Sequence, residues 1–292
     1  MEGQIGLEET PEQYVAALVE VFRELRRVLR DDGTLFLNLG DSYWGSGQGY
    51  GDTKATNKGH DGSRQRQKPT WNGDAGLKPK DLIGIPWMVA FALRADGWIL
   101  RSEIIWHKPN CMPESVTDRP TKAHETVFLL SKCPNYYYDN EAVKEAAVNG
   151  DPTSPRGSAG VVGQKNAGRR DKQGALGKRT YTGFNARWDA RAEPLMKRNK
   201  RSVWTIPTQP YDGAHFAVMP EALVEPCILA GCPEGGVVVD MFGGAATVGV
   251  VAKRLNRRYL LSEINAAYVE LARDRLAGVT PMLAGFAQAV QP

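Results

Sequence analysis

From Val237 to Asn265 the chain carries the pattern that most restricts its fold. Val237, Val238 and Val239 are β-branched and uninterrupted, as expected of a strand covered on both faces. Asp240 falls at its carboxyl end, where open α/β sheets bind ligands. Gly243, Gly244, Ala245 and Ala246 follow, small enough for backbone to approach a ligand closely. The spacing predicts a helix from Thr247 to Leu255, with Val248, Val251 and Leu255 on one face, then a strand from Arg258 to Ser262 that ends at Glu263. An acid about 20 residues after such a turn is where a ribose diol is held, because a carboxylate accepts hydrogen bonds from both hydroxyls. This is half of a nucleotide-binding α/β unit. A plain βα turn followed by a strand-end acid would give the same local pattern. No Gly-Lys-Ser/Thr follows, so it is not a phosphate loop, and without a clean Gly-x-Gly-x-x-Gly an adenosine cofactor fits better than a pyrophosphate one.

The unit lies near the end of 292 residues, so other strands of its sheet must come from earlier in the chain. Thr10 caps a helix with Pro11 in its first turn and Gln13 completing a capping box. Tyr14, Leu18, Val21, Phe22, Leu25, Val28 and Leu29 form its apolar stripe. After Asp31-Asp32-Gly33, Thr34 to Leu39 reads as a buried strand. Further strands are expected over Trp98 to Trp106 and Glu125 to Leu130, a helix within Asp81 to Leu93, and another element from Tyr136. Residues 43–80, rich in Gly, Asn and Lys, read as a long surface loop. Such a loop is either functional, here as a flap on nucleic acid, or without a role.

Charge is unevenly spread. Asp151 to Arg201 holds thirteen Lys/Arg against four Asp/Glu, a net of +9, which leaves −5 on the rest of a chain of net charge +4. A basic segment on a mildly acidic body points to a polyanion partner, and a solvated charged insertion is the alternative. Cys111, Cys133, Cys227 and Cys232 lack the paired spacing of a zinc site, so no metal is expected, and scattered free cysteines fit a reducing cytoplasm. No apolar run is long enough to span a bilayer.

Asp41, at the carboxyl end of the first strand, is a candidate pocket residue or a strand-end turn carboxylate. His107 and His124 each stand without a nucleophile nearby, which favours structural or substrate-positioning roles. Trp71, Trp106, Trp188 and Tyr137 are candidates to stack on a base, or core aromatics.

Asp240-Met241-Phe242-Gly243-Gly244-Ala245-Ala246-Thr247, with Arg257-Arg258-Tyr259, Glu263-Ile264-Asn265, Tyr268 and Ala272-Arg273-Asp274-Arg275, resembles the S-adenosylmethionine motif of amino-group DNA methyltransferases. The late position resembles their permuted β group. Asn38 to Tyr43, Trp106 to Ser115 and Asp118 to Glu125 are similar to the same family. Met241, Ala245 and Ala246 stand where the usual pattern has proline, serine and its second glycine. The resemblance implies an α/β fold of the Rossmann-like methyltransferase type with a mostly parallel sheet. Residues 1–150 and 202–292 would form the methyltransferase domain and 151–201 a basic target-recognition insertion. It implies S-adenosyl-L-methionine as cofactor, held by Asp240, Phe242, Gly244, Thr247 and Glu263, with Phe216 and Pro220 as further contacts. It implies duplex DNA as partner, with Arg169, Arg170, Lys178, Arg179, Arg198 and Arg201 on phosphates, and no membrane. Pairing with a second copy is left open. The expected reaction is methyl transfer to the amino group of adenine (N6) or cytosine (N4), within a restriction-modification setting in a bacterial or phage-infected cytoplasm.

The family's catalytic tetrapeptide, of the Asp/Ser-Pro-Pro-Tyr type, is expected just upstream of the segment resembling Glu2 to Leu7. No Pro-Pro pair occurs in the sequence. The expectation is therefore a chain that binds the cofactor and transfers methyl slowly. The alternatives are an inactive DNA-binding remnant and a methyltransferase acting on RNA or a small molecule.

Overall fold

Helix α1, Pro11–Val28, follows from its own sequence. The Thr10 hydroxyl accepts the Gln13 N–H at 3.2 Å, and Gln13 Oε1 accepts the Thr10 N–H at 3.2 Å. Val15, Leu18, Phe22 and Leu25 recur at helical spacing and are buried. The remaining elements are β1 (Thr34–Leu39), α2 (Ile85–Ala95), β2 (Ile99–His107), β3 (His124–Ser131), β4 (Glu145–Ala146), β5 (Lys197–Arg198), β6 (Val203–Thr205), α3 (Glu221–Gly231), β7 (Val237–Asp240), α4 (Thr247–Arg254), β8 (Arg258–Leu261) and α5 (Ala266–Ala277). The computed structural model describes residues 4–45, 76–146, 197–209 and 219–281. The chain divides into two compact units, Met1–Asp139 with Arg201–Pro292, and Asn140–Lys200.

In the first unit four strands join in the order β1-β3-β2-β6. β3 is antiparallel to β1 and β2, and β6 is parallel to β2, so β1, β2 and β6 share one direction. The reversal of β3 has a simple cause. Residues 108–123, between β2 and β3, contain no helix to carry the chain back for a parallel pairing. β7 and β8 pair in parallel in a separate ladder, with Asp240 opposite Leu261.

The strands' period of two sends alternate residues to opposite faces. Leu37, Phe128 and Leu130 pack with Phe22 and Leu25 of α1 and Val89 and Leu93 of α2. Val127, Leu129, Ile104 and Trp106 face the other way and pack with Trp204 and Leu223 of α3. The result is helix, sheet and helix in three layers, the α/β class expected. A third cluster joins α3 to α4 through Val224, Ile228, Val251 and Leu255.

Three details differ from the sequence reading. The Val237–Val239 strand is covered on both faces only in part: Val238 packs against the α3–α4 cluster and Val239 against the α1–α2 cluster, while Val237 is half exposed. Among the described strands β7 pairs with β8 alone, and Leu260 of β8 is itself 63% exposed. β1 is mostly half-buried rather than buried. No strand or helix begins at Tyr136; the chain there bends, and the Tyr137 N–H donates to Asp32 O at 2.8 Å. Pro134 breaks any continuation of β3 as a ladder strand.

In the second unit β4 and β5 pair antiparallel, Glu145 opposite Arg198. Arg198 Nε donates to Glu145 Oε1 at 2.8 Å.

Candidate functional site

The turn between β7 and α4 is held from three sides. The Gly243 N–H donates to Ser262 O at 2.7 Å, and the Ser262 N–H to Asp240 O at 2.9 Å, which extends the β7–β8 pairing into the turn. A Cβ on Gly243 would lie 3.1 Å from Leu261 Cβ and 3.2 Å from Ser262 O, so glycine permits the close approach of the two chains. Gly244 turns with φ +49°. Ala246 also takes the left-handed conformation, φ +60° and ψ 31°, immediately before α4, and is fully buried. A methyl group thus sits at a backbone position that favours glycine.

Two carboxylates converge here. Glu263 Oε2 accepts the Gly244 N–H at 2.8 Å and Oε1 the Asn265 N–H at 2.8 Å. Asp240 Oδ1 accepts the Phe242 N–H at 2.9 Å. Burial raises the Asp240 carboxyl above its ordinary range, the Phe242 N–H opposes this, and the charge on Glu263 adds to it. A carboxylate oxygen has two lone pairs, so these bonds leave capacity for hydroxyl or ammonium donors. Acceptor-rich and small, the turn fits the ribose diol and amino group of S-adenosylmethionine. Beside it a cleft of about 360 Å³ runs from Gly244 and Glu263 along Leu261, Ala272 and Leu276.

The other expected cofactor residues have their own places. Phe242 is half exposed and its ring meets Phe22 edge-to-face, centroids 6.2 Å apart. Thr247 is buried, and its Oγ1 accepts from Arg275 Nη1 at 2.9 Å. Pro220 is buried and caps α3. Phe216 lies outside the described residues.

Asp41 has a structural task. Its Oδ1 accepts the N–H groups of Ser42 at 2.9 Å and of Gly84 and Ile85 at 3.0 Å each. Gly84, φ +83°, precedes α2 and has no side chain, so Asp41 caps that helix from across the fold. Next to it Trp44 and Asp81 exchange a backbone bond of 2.8 Å, which fastens the two flanks of residues 46–75 together. The reading of 43–80 as a flap otherwise lies outside the described residues.

Trp106 is buried and its Nε1 donates to Ile206 O at 2.8 Å, so it is a core residue and not a platform for a base. Tyr137 is half-buried, and Trp71 and Trp188 lie outside the described residues. His107 stands opposite His124 across the β2–β3 ladder, with Nδ1 3.2 Å from Thr205 Oγ1. Of the expected DNA contacts, Arg169, Arg170, Lys178 and Arg179 lie outside the described residues. Arg198 faces Glu145, and Arg201 is exposed.

The sequence reading missed the residues that support the turn. Arg275 Nη1 also donates to Ala245 O at 3.0 Å, and its Nη2 to Glu221 Oε1 at 3.0 Å. Arg254 Nη1 donates to Glu221 Oε2 at 2.6 Å. Arg275 was visible in the family pattern, but nothing local in the sequence joins it to residues 30 or 54 positions away.

A DNA methylase family model (N6_N4_Mtase) matches residues 1–274. The type II methyltransferase M.SmaI of Serratia marcescens is 44% identical over 275 residues, 94% of this chain and 77% of that protein. M.Cfr9I of Citrobacter freundii is 43% identical over 275 residues, 94% of this chain and 75% of that one. The solved PvuII DNA methyltransferase, cytosine-N4-specific, shares the fold, with a TM-score of 0.56 at 16% identity over 91% of this chain and 71% of its own. The chain belongs to the DNA methylase family of N6/N4 type, and is an S-adenosylmethionine-dependent DNA methyltransferase.

Proposed function

We propose that this chain moves a methyl group from S-adenosylmethionine to the exocyclic amino group of adenine or cytosine in duplex DNA, at a specific sequence. The observation that carries this reading is the turn at Asp240 to Thr247 bridged by Glu263 to the start of α5. Glu263 would receive the ribose hydroxyls, and the half-buried Asp240 and the Gly243–Gly244 backbone would line the cofactor's polar part. Bound there, S-adenosylmethionine supplies an electrophilic methyl on sulfonium. The amino group of a paired base cannot meet such a donor in line, so the base is drawn out of the stack. Arg169, Arg170, Lys178, Arg179 and Arg201 serve the phosphates, and residues 151–201 the target sequence. Asp41 anchors α2 and takes no part in the chemistry.

The test is transfer of tritiated methyl from S-adenosylmethionine to duplex DNA, followed by digestion to nucleosides. Label in N6-methyladenine or N4-methylcytosine supports the reading. Label only in RNA or in free nucleosides overturns it.

A further inference from the structure

The two residues on either side of Ala246 are gripped by one side chain, one through its carbonyl and the other through its hydroxyl. Arg275 Nη1 donates to Ala245 O at 3.0 Å, in the peptide that leads into Ala246, and to Thr247 Oγ1 at 2.9 Å, on the residue that follows. Between them Ala246 is fully buried at φ +60°, a conformation that an L residue other than glycine or asparagine rarely adopts. Its C=O accepts the Val250 N–H at 2.9 Å as α4 begins. Its N–H bonds to Gly243 O at 2.7 Å, which any residue could do. The guanidinium is in turn fixed from behind. Arg275 Nη2 reaches Glu221 Oε1 at 3.0 Å, and the other oxygen of Glu221 takes Arg254 Nη1 at 2.6 Å. These side chains are only 19%, 30% and 32% exposed, so the network is shielded from much of the solvent. Glu221 is also the first residue of α3, directly after Pro220. One arginine therefore joins α5, the turn that leads into α4 and the start of α3.

We propose that Arg275 is a positioning residue for the cofactor. Oriented by Glu221, it holds Ala246 left-handed, so that Gly243 and Gly244 keep the shape that receives S-adenosylmethionine. It also ties that turn to the Pro220 end of α3, so the two sides of the site are set together. Arg275 does not touch the cofactor; it acts through the backbone. The planar fork matters, because three acceptors at fixed angles are met by one guanidinium and not by an ammonium. This inference rests on the reading of the turn as the cofactor site.

The experiment is calorimetric binding of S-adenosylhomocysteine to four proteins: wild type, Arg275→Met, Ala246→Gly and the double variant. Glycine adopts φ +60° without help, so it removes the need for the clamp. In the alanine background Arg275→Met should weaken binding by about 5- to 30-fold, the usual size of such couplings. In the Ala246→Gly background the loss should be under about 3-fold. Circular dichroism and a melting curve without ligand accompany each protein. A purely structural role for Arg275 would lower the melting temperature alike in both backgrounds and leave affinity unchanged. Should Arg275→Met not fold, Glu221→Gln loosens the same guanidinium from outside the turn. It should weaken binding about 3- to 10-fold with alanine at 246 and less with glycine. Equal losses of affinity in both backgrounds, or none, overturn the proposal. Failure of the wild-type chain to bind S-adenosylhomocysteine at all overturns instead the reading of the site on which it rests.

Discussion

Glu263 bonds Gly244 across the mouth of the turn, Oε2 to N–H at 2.8 Å, while its other oxygen takes the Asn265 N–H at 2.8 Å. The acid proposed to receive the ribose is therefore also a brace between the carboxyl ends of β7 and β8. On that proposal, binding and local structure share one side chain.

Asp41 separates a structural from a chemical role. Asp41→Ala leaves two N–H groups at the start of α2, and that of Ser42, without their acceptor and should cost about 1–3 kcal/mol of stability. Asp41→Asn keeps an acceptor oxygen and should cost less. Neither should change methyl transfer per folded molecule by more than about 3-fold. Denaturant melts and turnover corrected for folded fraction check this. Loss of turnover in a stable Asp41→Asn protein would make Asp41 a reacting group.

Asp240 should leave a mark on the pH dependence of stability. Its folded-state carboxyl is raised chiefly by burial. A raised acid favours the folded state fully below its unfolded value and loses that contribution as pH climbs through the folded value. Asp240→Asn keeps the acceptor for the Phe242 N–H and has no proton to lose. The variant should therefore gain stability relative to wild type as pH rises above the ordinary carboxylate range, and the gap should close toward acid. Melting curves from pH 4 to pH 8 measure it. A gap that widens toward acid would mean that Asp240 is held charged.

Gly243→Ala places a methyl 3.1 Å from Leu261 Cβ and 3.2 Å from Ser262 O, where a strand must shift to receive it. Overpacking of this kind costs about 1–3 kcal/mol. Both the melting temperature and the affinity for S-adenosylhomocysteine should fall. Unchanged affinity would show that the turn's backbone does not shape the site.

DNA binding should weaken steeply with salt. Each neutralised phosphate contributes about −0.9 to the slope of log K against log salt. Replacing Arg169 and Arg170 together by Ala should make that slope shallower by up to about two. Fluorescence anisotropy with a labelled duplex at several salt concentrations reads it. A flat response would assign the basic segment to solvent.

The elements of this fold were legible wherever a local pattern sufficed. The Thr10 capping box, the apolar stripe of α1 (save that Val28 is exposed and Val15, left out of it, is buried) and the run from Val237 to Glu263 all depend on neighbours within a few residues. What the sequence hid is long-range. The direction of β3 depends on a connection without a helix. The half-exposed Val237 depends on which strand pairs beside it. Asp41 read equally as a pocket acid or as a strand-end turn carboxylate; only the fold, which brings Gly84 and Ile85 to it, shows what it bonds. Trp106 read as either a stacking platform or a core aromatic, and only the fold shows its indole spent on Ile206. Arg275 was read as part of a family pattern, and its grip on Ala245 and Thr247 needed three dimensions.

The most direct test is the affinity of S-adenosylhomocysteine for Glu263→Ala and Glu263→Gln, measured by calorimetry on folded protein. Hydrogen bonds to a charged group are worth about 1.5–3 kcal/mol, so Glu263→Ala should bind about one to two orders of magnitude more weakly, and Glu263→Gln should lie between it and wild type. Wild-type affinity in a folded Glu263→Ala protein would place the ribose elsewhere and contradict the account.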